Sequence, residues 1–208
     1  VCSSDLMADG MAVDVRFGVR TPHADEIGEV ARTLGIDIVA HEGGSALTRV
    51  GDVALPSNAP RWLIEAAVLR ALEPKHVLFL CVANSARSQM AEGLARSLAP
   101  QSVTISSAGS EPTRVRPQAI EALSEVGLDI SGHASNGADE IEGEVDAVIT
   151  LCAEEVCPVW LGEATRLHRG LPDPAGAGHT PEEEMEAFRS VRDELTRRLT
   201  VLFLGVSE

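Results

Sequence analysis

The chain has 208 residues, 44% of them hydrophobic, which is room for one medium domain or two small ones. Its formal net charge of −15 repels phosphate backbones and offers no basic stripe, so a nucleic-acid-binding role is excluded. Every apolar run falls short of the ~18 residues a bilayer span needs, and four cysteines with no export signal suit cytoplasmic thiol chemistry better than a disulfide scaffold.

Val1 to Leu6 lack an initiator methionine and read as a sequence scar, with Met7 or Met11 as the start and no mechanistic role for Cys2. Residues 1–74 are expected to form a small α+β accessory domain. Within it Val13, Val15 and Phe17 alternate like a half-buried strand, and Ile27, Val30, Ala31 and Leu34 share one helical face. Ile36 and Ile38 suggest a second strand, Gly43-Gly44 a turn, and Val50 to Leu55 a third strand. Pro60 opens a helix through Leu72 that carries Trp62, Leu63 and Ala66. His23 and His41 are expected at the surface, and nothing in this segment names a ligand.

Residues 75–208 form the second expected domain. Val77 to Cys81 reads as a buried strand, and Ser88 followed by Gln89 to Arg96 reads as a capped helix. The intervening loop lies where backbone N–H groups and the positive helix end converge, a cradle for a tetrahedral oxyanion built from Val82, Ala83, Asn84, Ser85, Ala86 and Arg87. With no glycine between Cys81 and Arg87, Asn84 is the residue expected to take the left-handed conformation. The Arg87 fork suits two oxygens of the anion, and its charge favours the thiolate of Cys81. A thiolate facing an oxyanion is a nucleophile's arrangement. A buried cysteine at a strand end is often only a small hydrophobe, but the strand, loop and helix together favour catalysis.

Farther along, Ala119, Ile120, Leu123 and Val126 predict a helix from Pro117. Glu144 to Leu151 leads into another strand and Arg166 to His168 suggests one more. Pro181 starts a long helix to about Phe203, acidic early and basic late, as the helix dipole prefers. Strands alternating with helices argue for a parallel sheet covered on both faces, an α/β fold.

Cys81 to Glu92, Cys-Val-Ala-Asn-Ser-Ala-Arg-Ser-Gln-Met-Ala-Glu, resembles the active-site loop of thioredoxin-coupled arsenate reductases built on the low-molecular-weight phosphotyrosine phosphatase fold. Ser106 to Gly109 is similar to that family's second strand and turn, Val148 to Cys152 to its third strand, and Pro172 to Ala175 to its acid loop. The resemblance runs from Lys75 to about Leu202. It implies a four-stranded parallel sheet with helices on both faces, preceded here by the small α+β domain.

By the same resemblance Cys81 is the nucleophile, Arg87 and the loop amides bind the oxyanion, Ser88 hydrogen-bonds the thiolate and Asp173 is the proton donor. The chemistry agrees on Asp173: an acid held by a following proline can protonate a departing oxygen, although Asp-Pro is also common turn chemistry. The resemblance further implies arsenic resistance through a relay of redox-active disulfides. Cys81 attacks arsenate, Cys152 attacks Cys81 and releases arsenite, and Cys157 attacks Cys152, leaving a disulfide for thioredoxin. Exchange chemistry permits each step. The Cys152-x4-Cys157 spacing is shorter than that family's, and it leaves open that glutaredoxin with a small thiol resolves Cys152 directly while Cys157 stands by.

Two alternatives stay open at this point: a phosphatase for a small phosphoester, with Cys152 and Cys157 protecting Cys81, and an oxyanion or arsenite sensor. Against a tyrosine phosphatase, the chain has no tyrosine, and Ala175 follows Asp173-Pro174 where those phosphatases carry an aromatic wall. No cofactor is implied. Asn84, Glu92 and Ser107 match a potassium set of the family, but Asn136 stands at its aspartate position, so no metal is assigned. A lone Cys-x4-Cys lacks the four ligands of structural zinc, and His168 is as well explained as a strand-end residue.

Overall fold

The computed structural model describes residues 12–17, 23–34, 37–42, 48–153, 160 and 162–204. Cys2, Ile36, Gly43-Gly44 and Cys157 lie outside the described residues. The chain divides after Glu73 into two compact units. Among the described residues no helix is long and apolar enough to cross a membrane.

The first unit runs β1 (Ala12–Phe17), α1 (Ala24–Leu34), β2 (Asp37–Glu42), β3 (Thr48–Val50), β4 (Val53–Leu55) and α2 (Arg61–Ala71). The sheet order is β2-β1-β3-β4, with β1 and β2 parallel and the β1–β3 and β3–β4 pairs antiparallel. Alternate strand residues Val13, Val15, Val50, Val53 and Leu55 are buried together with Ile27, Val30, Ile64 and Val68 of the helices. Two expectations are corrected here. Val50 to Leu55 is not one strand but the heart of a hairpin, because Gly51 takes a φ of 56° and turns the chain between Val50 and Val53. His23 is not at the surface: it is 3% exposed, with Nε2 2.6 Å from the Pro56 carbonyl, which satisfies the buried imidazole. The His41 side chain lies outside the described residues.

The second unit runs β5 (His76–Cys81), α3 (Arg87–Leu98), β6 (Thr104–Gly109), α4 (Pro117–Ser124), a 3-10 turn (Ala138–Glu140), β7 (Ala147–Cys152), β8 (Thr165–Leu171) and α5 (Pro181–Leu204). All four strands are parallel, in the order β6-β5-β7-β8, so this is an α/β unit with a helix-flanked parallel sheet. Central β5 is buried along its whole length, which is why its sequence is a continuous apolar run rather than an alternating one. On one sheet face Leu78, Leu80, Ala108, Val145 and Val148 pack with Ala138, Ile141, Trp160 and Ala164.

Two devices fix the unit's framework. The Asp146 carboxylate accepts from the backbone N–H groups of Lys75 (2.6 Å) and His76 (2.8 Å), pinning the entry to β5. Gly93 lets α3 approach α4 closely: a β-carbon there would lie 2.6 Å from Ile130 Cγ2 and 2.7 Å from Leu123 Cδ1. At the surface the Arg189 guanidinium, hydrogen-bonded to Glu125 and joined by Arg192, holds that carboxyl down at about 2 and ties α4 to α5.

Candidate active site

β5 delivers Cys81 to the carboxyl edge of the sheet, the place where open α/β sheets bind ligands. The chain then turns through residues 82–86 into α3. Asn84 makes this turn at a φ of 45°, the left-handed conformation expected of it. Ser88 does not cap the helix as its sequence suggests. Ala86 occupies the N-cap, at φ −132° and ψ −87°, with no side-chain cap, and Ser88 lies within the first turn with its hydroxyl 2.9 Å from Cys81 Sγ. The thiol partner has displaced the local capping role.

The hydrogen-bond directions around Asn84 can be read without ambiguity. The Asn136 N–H, which can only donate, lies 2.8 Å from Asn84 Oδ1, so Nδ2 is the donor to Ser88 Oγ (2.9 Å) and Ser107 Oγ (2.8 Å). Ser107 donates onward to Glu92 Oε2 at 2.5 Å. With its oxygen accepting from Asn84, Ser88 has its own proton to give to the sulfur, and the Asn84 N–H donates to Cys81 Sγ at 3.2 Å. Cys81, Asn84, Arg87, Ser88 and Glu92 are all buried.

The loop's carbonyls are engaged from outside. Val82, Ala83 and Ser85 accept from the N–H groups of Glu111 (2.9 Å), Thr113 (3.0 Å) and Arg116 (2.9 Å), and Asn84 accepts from Ser135 Oγ at 2.6 Å. With these carbonyls engaged from outside, the Asn84 N–H points inward onto Cys81 Sγ, the direction an anion cradle requires of its amides. Gly109 makes the approach possible, since a β-carbon there would lie 2.4 Å from Val82 O and 2.8 Å from Asn84 N. Gln89 braces the far side, donating to Asn84 Oδ1 (2.8 Å) and Ala134 O (2.9 Å) while His133 Nδ1 lies 2.9 Å from its Oε1. Burial pushes the His133 imidazole below its ordinary range, in favour of the neutral ring that donates to Gln89. None of Thr113, Arg116, Ser135, Gln89 or His133 carries a local sequence signal for this role.

Arg87 donates Nη1 to Leu171 O at 3.0 Å, and its Nη2 stands 3.4 Å from Asp173 Oδ2. Arg87 and Asp173 are thus brought together although 86 positions separate them (173 − 87). Asp173 keeps 39% side-chain exposure, so its carboxyl is reachable from solvent. Cys152 ends β7, buried at 1%. The register pairs Leu80 with Thr150, so both cysteines leave neighbouring strands at the same edge of the sheet. Period-two alternation sets them on opposite faces of the pleat, because Cys81 follows Leu80 and Cys152 falls in phase with Thr150. Asn84, Glu92, Ser107 and Asn136 do assemble, but through mutual hydrogen bonds. Among the described residues no group of three or more His, Cys, Asp or Glu is gathered in a way that would hold a metal ion.

Residues 76–208 match the low molecular weight phosphotyrosine protein phosphatase family. An arsenate reductase of Halalkalibacterium halodurans is 42% identical over 131 residues, 62% of this chain and 94% of the relative. An arsenate reductase of Bacillus subtilis is 43% identical over 131 residues, with the same shares of the two chains. Among solved structures, an arsenate reductase from Archaeoglobus fulgidus aligns with a TM-score of 0.53 at 30% identity, covering 61% of this chain and 97% of its own.

Proposed function

Because the chain belongs to the low molecular weight phosphotyrosine protein phosphatase family and ends two neighbouring parallel strands in buried cysteines, we propose that it is an arsenate reductase. The observation that carries this reading is Cys152 at the same sheet edge as Cys81. Phosphoester hydrolysis needs one thiol, whereas reducing arsenate requires two electrons that a pair of thiols can supply.

In this reading the Arg87 fork and the loop amides bind arsenate, and the Cys81 thiolate attacks arsenic while Asp173 protonates the departing oxygen, a contribution of roughly 10²–10⁴-fold. Cys152 then attacks Cys81 Sγ. The S–S bond forms, the S–As bond breaks with its electron pair left on arsenic, and arsenite departs. Since the two cysteines occupy opposite faces, the end of β7 must turn for this step. Reduction of the disulfide falls to thioredoxin through Cys157, or to glutaredoxin with a small thiol acting at Cys152. We place the reaction in the cytoplasm, where such thiols are kept reduced. Residues 1–74 are assigned an accessory role outside the chemistry.

Replacing Cys152 by serine tests the reading. Arsenite formation under each reductant is expected to drop at least ~10³-fold while hydrolysis of p-nitrophenyl phosphate, which draws on Cys81, Arg87 and Asp173, persists. Unchanged arsenate turnover in Cys152→Ser would remove the relay. Phosphoester hydrolysis with no arsenate turnover in the parent chain would favour the phosphatase instead.

A further inference from the structure

His168 is a titratable side chain beside the relay that the reaction sequence leaves unused. It lies on β8, where the register pairs it with Thr150 of β7. Alternation therefore puts Thr150, Cys152 and His168 on one face of the sheet. Beyond Thr150 the pairing slips, so that Cys152 lies opposite Leu171 and β8 carries an extra residue. Such a bulge bends the strand and re-aims its side chains. Gly170 occupies this bulge. A β-carbon there would stand 3.1 Å from His168 Nε2, 3.1 Å from Ala153 Cα and 3.3 Å from Cys152 O. His168 Nε2 and the backbone of Cys152 and Ala153 thus border the same point beside Gly170.

Thr150 Oγ1 lies 2.9 Å from His168 Nδ1 and 3.4 Å from Leu167 O. When the hydroxyl proton is given to Leu167 O, the hydroxyl oxygen accepts from Nδ1–H, and the lone pair then lies on Nε2, the nitrogen beside Gly170. Among the described residues, the charged side chain sharing this face on β8 is Arg166, whose Nη2 donates to Gly162 O at 2.9 Å. On β7, the strand packed against β8, the ionisable residue is Cys152 itself.

We propose that His168 takes the thiol proton of Cys152, turning it into the nucleophile of the second step. The inference rests on the arsenate reading above. The proton passes from Cys152 Sγ to His168 Nε2 before the end of β7 turns toward Cys81. The resulting thiolate attacks Cys81 Sγ of the thiol-bound arsenic, forming the S–S bond as the S–As bond breaks. Two sulfurs are oxidised to a disulfide, arsenic is reduced from the pentavalent to the trivalent state, and the imidazolium returns its proton to solvent.

The test is a single turnover without external reductant, in which each reduced chain releases one arsenite, followed as a function of pH. Imidazoles ordinarily titrate near ~6.5 and thiols near ~8.5, so the two origins of the thiolate are separable. For the wild-type chain the rate at neutral pH is expected to match that in the thiol range, since the thiolate no longer depends on the thiol's own ionisation. His168→Asn keeps an amide donor for Thr150 but no base. Its rate near neutral pH is expected to fall roughly 10²-fold and to recover in the thiol range. Thr150→Val, which releases the tautomer, should shift the profile the same way by a smaller, roughly 10-fold loss. Hydrolysis of p-nitrophenyl phosphate by the same preparations should be retained, which reports an intact fold. A wild-type profile in His168→Asn, or an equal loss at every pH, would overturn the assignment. Absence of arsenite from the wild-type chain at all pH values would instead remove the arsenate reading, and this inference with it.

Discussion

Asn84 and Ser88 show how little of a site's chemistry belongs to the nucleophile alone. Asn84 holds the loop in a left-handed turn and, through Nδ2, commits the Ser88 oxygen as an acceptor, which leaves the serine proton for Cys81. A hydrogen bond to a charged group contributes about 1.5–3 kcal/mol, so Ser88→Ala should slow alkylation of Cys81 and arsenate turnover by roughly 10–100-fold. Iodoacetamide labelling of Cys81 followed by mass spectrometry measures the first and arsenite release the second. Equal rates in the variant and the parent would show that the serine does not support the thiolate. The sequence marks both residues but misleads about one. Ser88 has the position of a helix cap, and only the spatial neighbour Cys81 decides against it. His23 is a comparable case: a histidine suggests the surface until the Pro56 carbonyl, 33 positions away, accepts it into the core.

The elements were legible where their patterns are local. The apolar run of β5, the helical face of α1 and the Pro181 start of α5 all announce themselves. The hairpin of β3 and β4 was missed although Gly51-Asp52 between two β-branched flanks is a turn signal, because strands of three residues barely alternate. What no local pattern reveals is the collar of Glu111, Thr113 and Arg116 that takes the loop's carbonyls, since those contacts join segments about 30 positions apart. Gly109 is where collar and loop meet. Its missing side chain leaves room for Val82 O and Asn84 N, two backbone atoms that cannot rotate away as a side chain would. Gly109→Ala should therefore displace the cradle by some tenths of an ångström or more. Misplacement of a reacting group by about 1 Å can cost 10²-fold, and a fall of roughly 10–100-fold in kcat/KM for arsenate is expected. Thermal denaturation run alongside separates a moved loop from an unfolded chain, and an unaltered kcat/KM would show that the loop accommodates the methyl.

At the scale of the whole molecule, the proposed chemistry sits within the second unit. Cys81, Arg87, Ser88, Cys152 and Asp173 all follow Pro74, and the start of β5 is fastened from inside that unit by Asp146, through Lys75 and His76. The relatives from Halalkalibacterium halodurans and Bacillus subtilis are covered to 94% of their length by 131 residues of this chain, a length close to that of this unit. The unit also has a buried core of its own around β5, and domains of 100–150 residues commonly fold alone. Residues 75–208 expressed without the preceding segment should accordingly fold cooperatively and form arsenite with a kcat within about threefold of the full chain, a difference under ~1 kcal/mol in the barrier. The first unit would then act on something other than the chemical step, such as docking a partner or regulating access. A shortened chain that folds, by circular dichroism and thermal denaturation, yet turns over arsenate more than tenfold slower would show instead that residues 1–74 take part in the reaction. Measuring KM alongside kcat locates such an effect: a change confined to KM for the protein reductant, with arsenate parameters intact, would place the first unit at the step that regenerates the thiols.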